Sequence, residues 1–274
     1  MNAGGAGSGL TSVRSPRVKA ARRLTKRALR QRARAFLAEG PQAVGAALAA
    51  GAEVGEVFVT AEASARHAAL VASAAQAGVA VHVVSGEIMA ALAQTTTPQG
   101  ILAVCGFLDV PLGAVTALAP RLVAVLAHAR DPGNAGTVLR TADAAGAAAV
   151  IFTDASVDPY NGKCVRASAG SLFHLPVVSG ARLVPAVEAL RGAGLRIMAA
   201  DGHGKHSLDD VIAAGTLAAP TAWLFGNEAW GLPDELLSLA DESVAVPIYG
   251  RAESLNLAAA AALCLYASAR AQRG

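Results

Sequence analysis

The 274 residues are 54% hydrophobic and 16% charged, enough apolar matter for one large or two modest folded domains and too much for a disordered chain. No apolar run approaches the roughly 20 residues that span a bilayer, and Met1, Asn2, Ala3, Gly4 and Gly5 open the chain without an apolar stretch behind a basic start, so a cytoplasmic protein with neither anchor nor secretory signal is expected. The formal net charge of +3 hides an asymmetry: 10 of the 23 Lys and Arg precede residue 35 with no acid among them, leaving 13 bases against all 20 acids afterwards, a balance of −7.

Residues 1–34 read as a basic arm, Gly- and Ser-rich and expected to be disordered over 1–12, and free of Pro and Gly over 18–36, where a helix fits. Arg22, Arg23, Lys26, Arg27 and Arg30 are the candidate RNA contacts, because clustered cations displace the counterions condensed on phosphates. Charge alone specifies a polyanion and not which one.

Residues 35–110 then alternate as a small α/β unit. The pattern predicts a strand over 36–39, a helix over 41–50 with Pro41 in its first turn, and a strand over 54–60. An alanine-rich helix over 61–77 closed by Gly78, a strand over 79–84, a helix over 87–93 and a strand over 100–107 follow. Pro111, Gly113 and Pro120 mark a linker at 111–118.

Residues 119–274 repeat the alternation: a strand over 122–127, a helix over 132–145 stopped by Gly146, a strand over 148–153, apolar strands over 195–200, 222–225 and 244–248, and a final helix over about 253–270. Near-continuous apolar strands between helices imply a parallel sheet covered on both faces, with ligands at the carboxyl ends of the strands. Cys105, Cys164 and Cys264 are odd in number and far apart, which predicts buried small hydrophobes, not disulfides or a metal pair. Nothing completes a ligand set around His203 and His206, so the stretch Asp201-Gly-His-Gly-Lys-His206 reads as a polar surface loop and no metal is expected.

Three segments begin at the carboxyl ends of predicted strands. In the first, Asp131-Pro-Gly-Asn134-Ala-Gly-Thr-Val-Leu-Arg140, an ordinary helix cap accounts for Asp131 and Pro132 but leaves Asn134 and Arg140 unassigned. The second, Leu224-Phe-Gly226-Asn227-Glu228-Ala-Trp-Gly231, is a glycine turn that lets a ligand approach the backbone closely. It lacks the spacing of a dinucleotide site. The third, Val246-Pro-Ile248-Tyr-Gly-Arg-Ala-Glu-Ser254-Leu255-Asn256, runs from a strand into a helix, and taken singly its Ser and Asn read as capping groups.

Together, in this order and spacing, the three resemble the motifs of the SpoU (TrmH-type) branch of the SPOUT RNA methyltransferases. The resemblance covers about residues 119–272. Residues 35–110 resemble, more loosely through Phe36-Leu-Ala-Glu-Gly-Pro and Thr95-Thr-Thr-Pro-Gln-Gly, the ribosomal-protein-like RNA-binding domain often fused ahead of it. Bacterial 23S rRNA methyltransferases of the thiostrepton-resistance-like group share this layout. The resemblance implies an α/β parallel-sheet SPOUT domain with a C-terminal trefoil knot, behind a smaller α/β RNA-binding domain. It implies S-adenosyl-L-methionine as cofactor, methylation of a ribose 2′-hydroxyl in RNA, most simply 23S rRNA, and a homodimer with active sites at the interface.

By the same resemblance Arg140 falls on the family's catalytic arginine, and Asn134, Glu228, Ser254 and Asn256 on its other functional polar positions. Leu224, Gly226, Asn227, Glu228, Gly231, Val246, Ile248, Leu255 and Asn256 fall on the cofactor loops. Where many members carry a hydroxyl residue two positions after the Asn, this chain has Ala258. A guanidinium almost never gives up its proton, so orienting a phosphate and stabilising the developing alkoxide weigh at least equally with proton abstraction for Arg140. The competing readings are a tRNA 2′-O-methyltransferase, a catalytically inert RNA-binding ribosome-assembly protein and a nucleotide-dependent α/β enzyme.

Overall fold

Two short helices, α1 (Pro16–Arg23) and α2 (Arg27–Ala33), occupy the basic arm in the computed structural model, which describes residues 12–227 and 231–274. Pro16 stands in the first turn of α1, where its missing N–H costs nothing. Val18, Ala21 and Leu24, spaced at i, i+3 and i+6, are buried and join a core with Leu37, Phe58, Ile88, Leu92 and Leu102. The arm from residue 16 onward is therefore a packed part of the first unit. Its helix breaks after Arg23 because the carbonyls of Leu24 and Thr25 turn to the guanidinium of Arg30, 2.9 and 3.0 Å away.

After it come β1 (Ala35–Glu39), α3 (Pro41–Ala49), β2 (Val54–Thr60), α4 (Ala61–Arg66), α5 (Ala68–Gln76), β3 (Ala80–Val84), α6 (Gly86–Leu92) and β4 (Ile101–Gly106). The strands form a mixed sheet in the order β1-β4-β2-β3, with β4 antiparallel to both neighbours and β2 parallel to β3. The single helix expected over 61–77 is two, separated at His67 (φ −116°, ψ 38°).

The rest of the chain supplies α7 (Leu112–Thr116), β5 (Leu122–Leu126), α8 (Pro132–Ala145), β6 (Ala149–Thr153), α9 (Gly162–Ala167), β7 (Val177–Ala181), α10 (Leu183–Gly192) and β8 (Arg196–Ala200). It ends with β9 (His206–Ser207), α11 (Leu208–Ala213), β10 (Thr221–Phe225), α12 (Asp234–Leu237), β11 (Glu242–Ala245) and α13 (Leu257–Arg273). Seven parallel strands are ordered β7-β6-β5-β10-β8-β11-β9. Every residue of β5, β6 and β10 is buried, the state their unbroken apolar runs predict. The Trp223 indole N–H donates to the Ser268 hydroxyl at 2.8 Å inside this core and so fastens β10 to α13.

Contacts divide the chain into two units: the described residues up to Phe107 with Tyr160–Phe173, and Leu108–Pro159 with His174–Gly274. The expected division into consecutive stretches thus differs in two places. Tyr160–Phe173 joins the first unit, where Tyr160 stacks on Phe107 (centroids 3.9 Å apart) and Arg166 pairs with Glu39. The stretch 111–118, expected as a linker, carries α7, whose Val115 is buried in the second core. The strand expected over 244–248 ends at Ala245, because Pro247 has no N–H to give the ladder.

Cys105, Cys164 and Cys264 are buried, and burial pushes the thiols of Cys105 and Cys264 up to about 12. Among the described residues no helix is long and apolar enough to cross a membrane.

Candidate active site

The first motif opens α8. The Asp131 carboxylate caps the helix by accepting the Asn134 N–H at 2.8 Å, which fixes Asn134 in the first turn. Val138, Leu139 and Ala142 turn to the core, leaving Arg140 on the exposed face. Among the described residues Arg140 makes no hydrogen bond or ion pair.

The second motif leaves β10. Asn227 and Gly231 exchange backbone hydrogen bonds of 2.8 and 2.9 Å, pinching the loop at its base, and the Asn227 side chain donates to the His128 carbonyl at 3.3 Å. A Cβ on Gly226 would lie 2.4 Å from the Gly231 carbonyl oxygen, so this position admits glycine alone. Glu228 lies outside the described residues.

In the third motif Asn256 is the N-cap of α13: its Oδ1 accepts the Ala258 N–H at 2.9 Å, and its Nδ2 donates to Asn134 Oδ1 at 3.0 Å. The first and third motifs, 122 residues apart, thus meet at the starts of two helices. The capping role considered for Asn256 and its link to Asn134 are both present. At Ala258 the helix start uses a backbone N–H, which a missing hydroxyl leaves intact.

A cavity of about 300 Å³ opens at the carboxyl ends of β8, β10 and β11. Of the residues expected at the cofactor, Gly226, Asn227, Gly231, Val246, Ile248 and Leu255 line it, and Ser254 of the functional polar set joins them. Leu224 does not; it is fully buried in the sheet core, and the next residue, Phe225, forms the wall. Asn134, Arg140 and Asn256 lie outside the lining.

The stretch from Asp201 to His206 is a surface loop as expected, with Gly202, His203, Lys205 and His206 exposed, and its Asp201, Gly202 and His203 also line the cavity, a role not expected of them. The available signal was a glycine-bearing stretch directly after an apolar strand. Gly204 seats this loop on β11, since a Cβ there would fall 2.5 Å from the Ala245 nitrogen. Asp201 Oδ1 faces Gly231 across the cavity, 3.6 Å from where a Cβ would stand.

Around the cavity Phe225, Val244, Val246, Ile248, Leu255 and Leu257 offer apolar surface, Asp201 and Glu253 offer carboxylates, and no Lys or Arg is among the described lining residues. Such a wall suits a ligand that combines a flat ring with a separate positive charge, and it repels a phosphate chain.

In the first unit the expected RNA contacts separate. Arg22, Arg23, Lys26 and Arg27 are exposed. Arg30 is 3% exposed and its guanidinium is committed to the turn carbonyls, so its cation holds the arm together and is withdrawn from a phosphate.

Residues 121–266 match the SpoU rRNA Methylase family, and residues 15–103 match the MRM3-like substrate binding domain. This chain belongs to the SpoU rRNA methylase family. This SpoU methylase is 33% identical to the 23S rRNA (guanosine(2553)-2′-O)-methyltransferase RlmP of Bacillus subtilis (strain 168), over 94% of this chain and 97% of that one. An AdoMet-bound rRNA methyltransferase from Sinorhizobium meliloti superimposes with a TM-score of 0.81 at 30% identity, covering 96% of this chain and 97% of the other. The SpoU methyltransferase AviRb from Streptomyces viridochromogenes, in complex with AdoMet, does so at 0.81 and 29%, covering 93% and 98%.

Proposed function

We propose that this SpoU methylase transfers a methyl group from S-adenosylmethionine to a ribose 2′-oxygen of 23S rRNA, in the cytoplasm, as a homodimer with its active sites at the subunit interface. The observation that carries the reading is the cavity at the carboxyl ends of β8, β10 and β11, walled by apolar side chains and two carboxylates without a described cation. The names of the relatives and the AdoMet-bound neighbours support the cofactor and the RNA.

Gly226, Gly231 and the loop of residues 246–255 would hold the cofactor, with apolar walls for its adenine and Asp201 and Glu253 for its positive charge. When bound, S-adenosylmethionine supplies an electrophilic methyl group on a sulfonium. The protein must then align the ribose oxygen and stabilise the charge that grows on it. A guanidinium is a fixed cation and a poor base, so Arg140 acts by holding a substrate phosphate and the developing alkoxide. The Asn134–Asn256 bond fixes the helix starts beside it.

Arg140 is outside its own chain's cavity lining, which favours a site completed by a second copy. Helix α13, packed on α8, exposes Ala259, Leu263, Tyr266 and Arg270 along one stripe, with Leu263 and Tyr266 about half exposed. An apolar stripe of this kind suits a self-complementary two-fold contact. The strand order β5-β10-β8-β11, followed by a helix that returns to α8, supports a threaded C-terminal segment, the trefoil knot.

Calorimetry tests the cofactor: the purified chain should bind S-adenosylmethionine and its demethylated product competitively, whereas no heat and no competition at millimolar ligand would favour an inert RNA binder. The arm is tested by charge removal. Deleting it would strip Val18, Ala21 and Leu24 from the core, so Arg22, Arg23, Lys26 and Arg27 should be changed together to Gln. The log–log salt slope of RNA binding should flatten by about 3 with cofactor affinity unchanged. Identical slopes would show that these four cations do not meet phosphates.

A further inference from the structure

At the start of α3 a second cavity, about 190 Å³, is enclosed by groups of the first unit alone. Its polar wall comprises Glu39, Gln42, Thr95, Thr97, Gln99 and Arg166. The Glu39 side chain is 6% exposed and only half satisfied. Its Oε2 accepts from Arg166 at 3.0 Å and from the Gln94 N–H at 3.1 Å, while Oε1 is shielded from water with no hydrogen-bond donor. A buried carboxylate oxygen left without a donor destabilises the fold, and such an atom calls for an explanation.

We propose that this cavity reads one unpaired nucleobase of the RNA substrate, the bound base turning the Glu39 carboxylate so that Oε1 meets the cavity and accepts an N–H from the base edge. The inference rests on the reading of this chain as an RNA methyltransferase and names what its first unit recognises. The chemistry of the wall selects the ligand. An orphaned acceptor requires a donor, which a phosphate oxygen cannot supply. Arg166, the cation in the described wall, is already paired with Glu39 and bonded to the Gln94 carbonyl, which leaves it a partly neutralised and weaker anchor for a phosphate. Threonine hydroxyls and a glutamine carboxamide donate and accept equally well and match the mixed edge of a base. Oε1 alone is left to accept, and guanine serves it best because its N1–H and N2–H put two candidate donors on one edge. Single-stranded bases splayed out of a loop are the usual means by which protein reads RNA sequence.

The test titrates the isotope-labelled full-length chain with the four nucleoside 5′-monophosphates and follows the backbone amides of Thr95, Thr97 and Gln99 by NMR. GMP should shift these amides at the lowest concentration. Glu39→Gln, which keeps the shape but turns a donor toward the ligand, should weaken GMP by at least about tenfold. Thr97→Phe, at an exposed loop position, should block the cavity without touching the core. Absence of shifts with any nucleotide, equal affinity for all four, or unchanged GMP affinity in both variants would overturn the proposal. Because the titration reads nucleotide binding and not methyl transfer, its failure is distinct from failure of the methyltransferase reading.

Discussion

Arg140→Ala is expected to bind S-adenosylmethionine as tightly as the unaltered enzyme and to methylate RNA about 100- to 1000-fold more slowly, the range seen when one preorganised charge-stabilising donor is removed. Cofactor affinity should hold because Arg140 is absent from the cavity wall and sits on an exposed helix face. Stability should hold for the same reason, since the side chain makes no described hydrogen bond or ion pair. The comparison with Arg140→Lys separates two roles. Lysine keeps the charge but loses the planar fork that grips a phosphate, so a partial rescue measures charge and the remaining deficit measures geometry. Single-turnover rates at saturating RNA, with calorimetry of the cofactor, check the outcome; a parallel loss of cofactor affinity would refute the role.

Gly226→Ala is expected to abolish cofactor binding, and to restore activity when paired with Arg140→Ala in one dimer. Even a methyl group at Gly226 would press on the Gly231 backbone at 2.4 Å, and backbone cannot swing away as a side-chain tip does. The loop must open, and the cavity wall opens with it. If each site takes its cavity from one subunit and its arginine from the other, a mixed dimer contains one site with both parts intact and one with neither. Unfolding the two inactive variants, mixing them equally and refolding makes half the dimers mixed, so roughly a quarter of the normal activity should return. Heterodimers confirmed by native mass spectrometry that remain inactive would mean that Arg140 serves its own subunit's cavity.

The parts of this molecule legible in its sequence are those set by local physics. Helix α8 was readable to its ends because Asp131, Pro132 and Gly146 are cap, first-turn and stop residues. The strands β5, β6 and β10 were readable because burial on both faces leaves them wholly apolar. The three motifs gained meaning only jointly, through resemblance, and the structure shows why: Asn134 and Asn256 touch only after the intervening sheet has formed.

Other features depended on tertiary placement and were illegible for that reason. Nothing about Arg30 in sequence distinguishes it from Arg27, yet one is buried against two carbonyls and the other is exposed. Leu224 and Phe225 are equally apolar, and strand register decides which one reaches the cavity. The loop at Asp201 reaches the cavity because it directly follows the apolar strand β8, a position more informative than its two histidines.

The most direct measurement is of where the methyl group goes. The enzyme is incubated with methyl-labelled S-adenosylmethionine and unmodified 23S rRNA, and the RNA is then hydrolysed completely in alkali. Alkaline cleavage needs a free 2′-hydroxyl to attack the adjacent phosphate, so a 2′-O-methyl group protects the bond that follows it. The account predicts that the label is recovered in alkali-resistant dinucleotides and that Arg140→Ala removes it. Label released in mononucleotides would place the methyl group on a base and contradict the account.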